Sequence, residues 1–259
     1  MIGMVLAAGA GRRLQPWTDT LPKTLVPVVT SPRQTRDDVP AGRDETTILD
    51  VSLANFAEVG LTEVVLVTGY KSEALEERKS GLEQRHGVSL ELVFNDKAEI
   101  WNNAYSLWVA REHFARGVLL VNGDTITPSG VFAGMLADEN PAEVVIALDD
   151  VKPLAEEEMK VHLDDAGHMT AINKALDPAS AQGEYIGLTL IRPGSAEALA
   201  DALKATFERD PQLYYEDGFE EYATTGGGRI KTAPIGDVEW VEVDDHTDLA
   251  RAREVACRY

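Results

Sequence analysis

The chain has 259 residues, a formal net charge of −20, 44% hydrophobic residues and a single cysteine, Cys257. Such an acidic surface repels nucleic acid and anionic membranes, and one cysteine excludes an internal disulfide or a cysteine-based metal cluster. The length allows one large α/β domain or two small ones, and no apolar run approaches the roughly 20 residues of a membrane-spanning helix. No basic stretch precedes the first apolar run, so we expect no secretory signal and a cytoplasmic protein.

The first apolar run and the loop after it carry the strongest signal. Residues 2–8 read IGMVLAA, the pattern of a strand buried on both faces of a parallel sheet. Residues 9–14 follow as GAGRRL, and Lys23 comes shortly afterwards. Glycines after a buried strand let backbone N–H groups approach an anion, and the basic side chains add positive charge. The pattern predicts a triphosphate-binding loop at the carboxyl end of a central strand, against the alternative of an ordinary turn with surface arginines.

Two familiar phosphate motifs do not fit this loop, because it lacks the Walker lysine spacing and has Leu14 where a dinucleotide motif has its third glycine. Residues 6–16, LAAGAGRRLQP, and the pair Pro22-Lys23 instead resemble the signature of nucleotidyltransferases that activate sugar phosphates and small phosphoalcohols. The resemblance implies catalytic roles for Arg13 and Lys23. It also implies nucleotide contacts from Leu6, Ala8, Gly9, Ala10, Gly11 and Arg12.

The next segments predict alternating helices and strands. Residues 28–47 contain prolines, a glycine and many charges, which predicts a mobile loop whose arginines either close over a nucleotide or are simply solvated. Apolar spacing predicts a helix over 48–59 ended by Gly60, and a charged helix is predicted at about 71–86. Buried strands are predicted over 64–70 and 90–95. This alternation predicts a parallel, doubly wound sheet.

Residues 99–108 read EIWNNAYSLW and predict a helix that begins near Asn102 or Asn103 with an amide cap. The segment also resembles the corresponding part of cytidylyltransferases that act on phosphocholine and similar small compounds. The resemblance implies that Asn102, Asn103 and Ser106 bind the nucleotide, since side-chain amides suit a pyrimidine edge. It shifts the predicted acceptor from a sugar phosphate towards a phosphoalcohol or a phosphonate.

Two aspartates far apart in sequence are candidate metal ligands. Asp124 follows the apolar run 118–122, and a carboxylate just past a buried strand lies where ligands bind in open α/β sheets. Residues 239–249 alternate like a strand and then begin a helix at about 247, where an aspartate pair otherwise acts as a cap. In the family resembled, metal-binding residues lie at the positions of Asp124 and Asp244, and hard oxygen ligands suit Mg²⁺.

The segment from about 150 to 225 is predicted to bind the acceptor. A strand over 143–148, a hairpin over 159–163 and 169–173, a strand over 183–191 and a helix over 195–209 are predicted there. The resemblance implies that Lys160 or Lys174 contacts the acceptor phosphate, and the sequence leaves the choice open. The remaining acceptor candidates are Glu184, Tyr185, Tyr215 and Asp217, with Trp101 and Tyr214 as further walls of an aromatic cage. Residues 214–222 fit equally a helix start packed on the core.

These observations predict a single nucleotidyltransferase domain over residues 1–259, an α/β fold with a doubly wound, mainly parallel mixed sheet and a small β-rich acceptor-binding insertion. The predicted reaction is Mg²⁺-dependent transfer of CMP from CTP to a small phosphorylated alcohol or phosphonate, with a small acceptor favoured over a sugar or an inositol. A sugar-1-phosphate nucleotidylyltransferase using UTP or dTTP and a catalytically silent nucleotide-binding module are the alternatives. No nucleic acid or membrane partner is expected, and a homo-oligomer stays open.

Overall fold

The computed structural model describes residues 1–29, 45–138 and 142–256 of the chain. Residues 30–44, the main part of the predicted loop at 28–47, lie outside these ranges. The described ends of that stretch belong to two short antiparallel strands, β2 (Pro27–Val29) and β3 (Thr46–Thr47).

In the described part of the chain, nine strands form one mixed sheet. Its parallel part has the order β6-β1-β4-β5 and consists of β1 (Ile2–Ala7), β4 (Glu63–Thr68), β5 (Ser89–Phe94) and β6 (Val118–Asn122). Strand β11 (Gly183–Ile191) pairs antiparallel with β6 and also with β8 (Val144–Asp149) and β9 (Lys160–Leu163). The sheet is completed by β10 (Met169–Asn173) beside β9 and β12 (Ile230–Pro234) beside β8. The predicted doubly wound mixed sheet and the β9–β10 hairpin are confirmed.

The helices cover both faces of this sheet. They are α1 (Ile48–Glu58), α2 (Ser72–His86), α3 (Asn103–Val109), α4 (Ser129–Ala137), α5 (Ala196–Arg209), α6 (Tyr215–Thr224) and α7 (His246–Ala256). Helix α3 starts at the predicted place, where the Asn102 side chain accepts a hydrogen bond from the Asn103 backbone N–H. Among residues 1–29, 45–138 and 142–256, we find no helix with the length and apolarity needed to cross a membrane.

Alternating side chains of β1 divide the core between the two faces of the sheet. Val5 and Ala7 belong to a cluster that includes side chains of α1 and α4, whereas Ile2 and Met4 belong to a cluster with side chains of α3, α5 and α6. Both sets are almost completely buried, as the continuous apolar run predicts for a central parallel strand. Burial on both faces fixes β1 in position, and the loop that follows it therefore starts from a rigid point.

A third apolar cluster joins the two ends of the chain. Leu14 and Val26 pack with Val243 and Leu249 in this cluster. The strand-like alternation predicted within residues 239–249 forms only a short strand, β13 (Val241–Glu242), which pairs with β7 (Thr125–Ile126). The Val243 N–H then donates to the carbonyl oxygen of Asp124 at 3.0 Å. This hydrogen bond holds the chain after β13 next to the residues that follow β6.

Gly123, between β6 and Asp124, occupies a position that has no room for a side chain. A Cβ atom there would lie 2.3 Å from the Leu6 carbonyl oxygen and 2.6 Å from Thr24 Cγ2. Because the Gly123 N–H donates to the same Leu6 oxygen, the backbone cannot shift away without losing that hydrogen bond. Gly123 thus fixes the point from which the Asp124 side chain projects.

We predict that Gly123→Ala lowers the free energy of unfolding by about 2 kcal/mol or more, because the added methyl group meets backbone atoms. Gly130→Ala is the matched control, since a Cβ atom at Gly130 in α4 meets no atom within 4 Å. It should be neutral or stabilise by up to about 1 kcal/mol. Urea denaturation of both variants checks this, and equal stabilities would contradict the proposed backbone constraint.

Candidate active site

A cleft of about 260 Å³ lies beyond the carboxyl ends of β1 and β6. Its walls come from eight segments of the chain that the fold brings together. They are lined by Leu6, Ala8, Gly9, Arg13, Asn103, Ser106, Asn122, Gly123, Asp124, Met159, Lys174, Tyr185, Gly187, Tyr214, Glu216, Glu242 and Asp244. The position agrees with the rule that ligands bind outside the carboxyl ends of strands in open α/β sheets.

Lys23 ties the two predicted metal ligands together. Its Nζ lies 2.8 Å from Asp124 Oδ2 and 2.8 Å from Asp244 Oδ1, and its side chain is only 11% exposed. Burial by itself favours a neutral lysine, but the two carboxylates outweigh it and raise the pKa of Lys23 above its ordinary value. The ammonium group is therefore charged at neutral pH and neutralises part of a strongly negative site.

Gly11 lets the glycine loop pack directly on Lys23. Its φ of +57° is in the left-handed region, and a Cβ atom there would lie 2.8 Å from Lys23 Cβ. The Gly11 carbonyl also accepts hydrogen bonds from Leu14 N–H and from the Thr18 hydroxyl. The loop is thereby closed into a tight turn against the lysine.

Three carboxylates converge at the cleft. Asp124, Glu242 and Asp244 each offer one oxygen, and these oxygens lie within 4.8 Å of one another. Sequence analysis missed Glu242, although it stands two residues before Asp244, the spacing that puts side chains on one face of a strand. Desolvation in the cleft and the charges of Asp124 and Asp244 raise the pKa of Glu242.

The carboxylates fit a divalent cation. Oxygen donors of this kind are the ligands that Mg²⁺ prefers in proteins. Asp124 Oδ1 is buried and lacks a hydrogen-bond partner within the part of the chain that the structure describes. An unpaired carboxylate oxygen is costly to bury, and a bound cation would offset that cost.

Asp244 differs in its contacts from the neighbouring Asp245 and Asp248, whose side chains cap the start of α7. Asp248 Oδ2 accepts from the backbone N–H groups of Asp244 and Asp245, and Asp245 Oδ1 accepts from Asp248 N–H. These two aspartates are helix caps, whereas Asp244 faces the cleft and pairs with Arg13 at 2.7 Å. Although desolvation opposes it, the charges of Lys23 and Arg13 hold the pKa of Asp244 below its ordinary value.

Some of the residues predicted to bind the nucleotide line the cleft, and others do not. Leu6, Ala8 and Gly9 line the cleft, as do Asn103 and Ser106. The Ser106 side chain is held in position because its Oγ accepts a hydrogen bond from the Asn95 amide at 2.8 Å. Asn103 Oδ1 accepts from Tyr215 N–H at 2.9 Å, which fixes the orientation of its amide.

Arg12 and Asn102 do not reach the cleft. Arg12 is exposed on a short 3₁₀ helix, Arg12–Leu14, and Ala10 is likewise outside the lining. The Asn102 amide donates to the Gln212 carbonyl oxygen while its oxygen caps α3. Asn102 is therefore a helix cap, and of the two asparagines Asn103 is the candidate for binding the nucleotide.

Of the two predicted acceptor lysines, the structure brings only Lys174 to the cleft. Lys160 is fully buried, and its Nζ donates to the backbone carbonyl oxygens of Ala155, Glu156 and Glu158. Those bonds hold the loop before β9, so Lys160 is positioned for a structural role. Lys174 lines the cleft and also a larger neighbouring cavity of about 890 Å³.

The predicted aromatic cage is largely core. Trp101 packs on Tyr105 and Phe207, with ring centroids 5.1 and 5.9 Å away. Tyr215 is fully buried behind the cleft, and its hydroxyl donates to Asn122 Oδ1 at 2.8 Å. Tyr185 does line the cleft, with its hydroxyl bonded to those of Thr189 and Tyr215.

The predicted acidic residues also separate. Asp217 Oδ2 accepts from Tyr214 N–H at 2.7 Å and caps α6, which places it outside the cleft lining. Glu184 lines the larger cavity, where it pairs with Lys152 at 2.5 Å. Glu216, which with Glu184 and Asp217 forms the set of acids that the sequence offers to a cationic amine, lines the cleft itself, and burial raises its pKa to about 7.

A family model described as "Nucleotidyl transferase" matches residues 2–158 of the chain. Among curated proteins, the chain is similar to CMP-5'-(3-aminopropyl)phosphonate synthase of Streptomyces rubellomurinus, with 30% identity over 259 residues that cover 96% of this chain and 38% of that protein. It is also similar to choline-phosphate cytidylyltransferase of Streptococcus pneumoniae, with 32% identity over 120 residues that cover 46% of this chain and 43% of that protein. The chain thus spans less than half the length of these relatives.

Solved structures share the fold at lower identity. The inositol-1-phosphate CTP transferase from T. maritima has a TM-score of 0.77 and 20% identity, over 99% of this chain and 94% of that one. The CTP:phosphocholine cytidylyltransferase from Streptococcus pneumoniae has a TM-score of 0.69 and 19% identity, over 98% of each chain. These likenesses confirm a Rossmann-like mixed sheet with flanking helices.

We predict that Lys23→Met lowers the free energy of unfolding by about 2 kcal/mol or more in the absence of divalent cations, because it leaves carboxylates unpaired. Mg²⁺ should then raise Tm more in the variant than in the wild type, since the ion meets no competing ammonium group. At a hundred times its Kd the ion would return about 2.7 kcal/mol. Differential scanning calorimetry with EDTA or Mg²⁺ measures both effects.

Lys97→Met is the control for this experiment, because Lys97 forms an exposed ion pair with Asp96 that contributes little to stability. If Mg²⁺ raises Tm equally in the wild type and both variants, Lys23 does not compete with a cation for these carboxylates.

Proposed function

The chain belongs to the nucleotidyl transferase family, and from that premise we propose that it is a Mg²⁺-dependent cytidylyltransferase. It transfers CMP from CTP to a small phosphorylated alcohol or phosphonate and releases pyrophosphate. The observation that carries the proposal is the convergence of Lys23, Asp124 and Asp244 beside the glycine loop. The printed names of both curated relatives, a CMP-phosphonate synthase and a choline-phosphate cytidylyltransferase, support the choice of nucleotide and acceptor class.

Asp124 and Asp244 would hold Mg²⁺, with Glu242 as a third carboxylate. When bound, the ion supplies positive charge that neutralises phosphate oxygens and stabilises the charge of the transition state. The same proposal assigns the glycine loop to the triphosphate, because its backbone N–H groups lie at the carboxyl end of β1. Arg13, with a side chain 68% exposed, is free to extend along the phosphates from its pair with Asp244.

In the proposed reaction an acceptor oxygen attacks the α-phosphorus of CTP in line, while the bond from that phosphorus to the pyrophosphate oxygen breaks. The attacking phosphate or phosphonate oxygen is already an anion, so the site needs no strong base. Its task is to bring two anions together and to stabilise charge on phosphorus. Lys23, Arg13 and Lys174 supply the positive charge for this task in a chain whose net charge is −20.

Asn103 and Ser106 are the residues proposed to contact the cytosine. Both line the cleft, and both are held in place by hydrogen bonds from Tyr215 and Asn95. The Asn103 oxygen is used by Tyr215, which leaves its amide N–H groups to donate to a base carbonyl or ring nitrogen.

Lys174 is proposed to bind the acceptor's anionic group. It lines both the cleft and the adjoining cavity, so an acceptor bound there can place one end at the nucleotide and the other towards α6.

We predict that CTP supports faster pyrophosphate release than UTP, dTTP, ATP or GTP, by about tenfold or more in kcat/KM, because the Asn103 amide and the Ser106 hydroxyl select the base. The assay crosses these nucleotides with phosphoalcohols, phosphonates and sugar phosphates, and EDTA provides the metal-free control. Faster release from UTP or dTTP with every acceptor would contradict the cytidylyl proposal.

We further predict that Lys174→Ala raises the KM of the acceptor about tenfold or more and leaves the KM for CTP nearly unchanged. Lys160→Met is the matched control. It should instead lower the free energy of unfolding by about 3 kcal/mol, since it removes the three hydrogen bonds that the buried Lys160 ammonium donates. A Lys174→Ala enzyme with an unchanged acceptor KM, or with only its CTP KM raised, would remove Lys174 from the acceptor site.

A further inference from the structure

Glu216 is a buried carboxyl group in the cleft wall, and one of its two oxygens lacks a hydrogen-bond partner among the described residues. Its residue is 5% exposed, and its Oε2 has no hydrogen-bond partner within the ranges that the structure describes. A buried carboxyl oxygen without a hydrogen bond costs stability, and in a cleft wall it suits a ligand that donates to it. Glu216 stands at the start of α6, and Tyr214 and Tyr185 line the same cleft.

Three of the acids that line the adjoining cavity already have charged or hydrogen-bonding partners. Glu184 pairs with Lys152 at 2.5 Å, and Asp149 accepts from Trp240 Nε1 at 2.8 Å and from the backbone N–H groups of Val151 and Lys152. Glu158 Oε2 accepts from Ala155 N–H. These carboxylates therefore offer less to a ligand than Glu216 does.

Resting on the proposed function, we infer that Glu216 binds the protonated primary amine of the acceptor, whose phosphate or phosphonate end lies at Lys174. Lys174 and Glu216 line the same cleft. One small molecule can therefore place its anionic end at Lys174 and its cationic end at Glu216. A primary ammonium group is a compact donor of three N–H groups, and it satisfies the orphaned oxygen.

A quaternary ammonium group fits this site poorly. It has no N–H to donate, and its usual binding site is an aromatic cage. The aromatic side chains that would complete such a cage are engaged elsewhere: Trp101 packs on Tyr105, and Tyr215 is buried behind the cleft. Glu216 is thus a specificity residue that selects an aminoalkyl acceptor with a free amine over its trimethylated or amine-free counterpart.

Titration calorimetry with a nonreactive CTP analogue present tests this inference, using 2-aminoethylphosphonate, its N-trimethyl derivative and ethylphosphonate as probes. The wild type should bind the primary amine about tenfold or more tightly than either counterpart, because the counterparts leave the buried oxygen unpaired. Equal or tighter binding of the trimethyl or amine-free compound overturns the inference, with no variant needed.

Glu216→Gln should reduce the preference for the primary amine to about threefold or less, since it removes the charge that attracts the ammonium. Its Tm should be unchanged or higher, because the variant removes a buried charge with an unpaired oxygen. Glu220→Gln is the matched control on the same helix: Glu220 Oε2 accepts from Ile172 N–H, a bond that a glutamine oxygen can keep, and the preference should persist. A lower Tm together with an equal loss of affinity for all three probes would make Glu216 structural and overturn the inference.

The proposed function is read out separately, by pyrophosphate release from CTP. If no acceptor supports release while the calorimetric preference for the primary amine holds and depends on Glu216, the proposed reaction fails and the amine site remains. If release occurs equally well with all three acceptors and binding shows no preference, the reaction stands and the amine site fails.

Discussion

The site depends on one interaction, the bridge that the Lys23 ammonium forms between Asp124 and Asp244. The partners are 101 and 221 residues away along the chain, so the bridge exists only when the whole fold has formed. Two features support it. Burial of β1 on both faces fixes the start of the glycine loop, and the third apolar cluster holds the residues around Leu249 against those around Leu14. In a chain of net charge −20, this bridge also keeps positive charge where anionic substrates have to meet.

Two of the buried oxygens that lack hydrogen-bond partners belong to residues of the cleft wall, where a ligand could offset their cost in stability. Asp124 Oδ1 and Glu216 Oε2 are buried without hydrogen-bond partners within the described ranges, and each such group costs about 1–3 kcal/mol. Both residues line one cleft: Asp124 lies with the carboxylates of Glu242 and Asp244, and Glu216 is in the first turn of α6. Their separation agrees with a division of the cleft into a cation-binding part and an acceptor-binding part.

The aromatic residues of this chain show that one local sequence pattern is compatible with two different structural roles. The sequence around Trp101 and Tyr215 fits both a ligand cage and a core stripe, because large side chains at helical spacing serve either purpose. The structure uses Trp101 and Tyr215 in packing and in hydrogen bonds that hold Asn103 and Asn122. They influence the cleft by positioning its polar residues, and only Tyr185 and Tyr214 among these aromatics reach its wall.

The sequence by itself predicted the sheet from its continuous apolar runs and the turn after β1 from its glycines, because both are local patterns. The roles of Lys23, Asp124 and Asp244 were predicted through the family resemblance. The sequence also determined that Asn102 or Asn103 starts α3. The tertiary structure alone decided that Lys174 and not Lys160 faces the cleft, that Glu242 joins the aspartates and that Glu216 is left unpaired. Burial and pairing of a charged side chain depend on residues from distant segments, and no local spacing encodes which of two lysines meets three carbonyl groups and which meets a ligand.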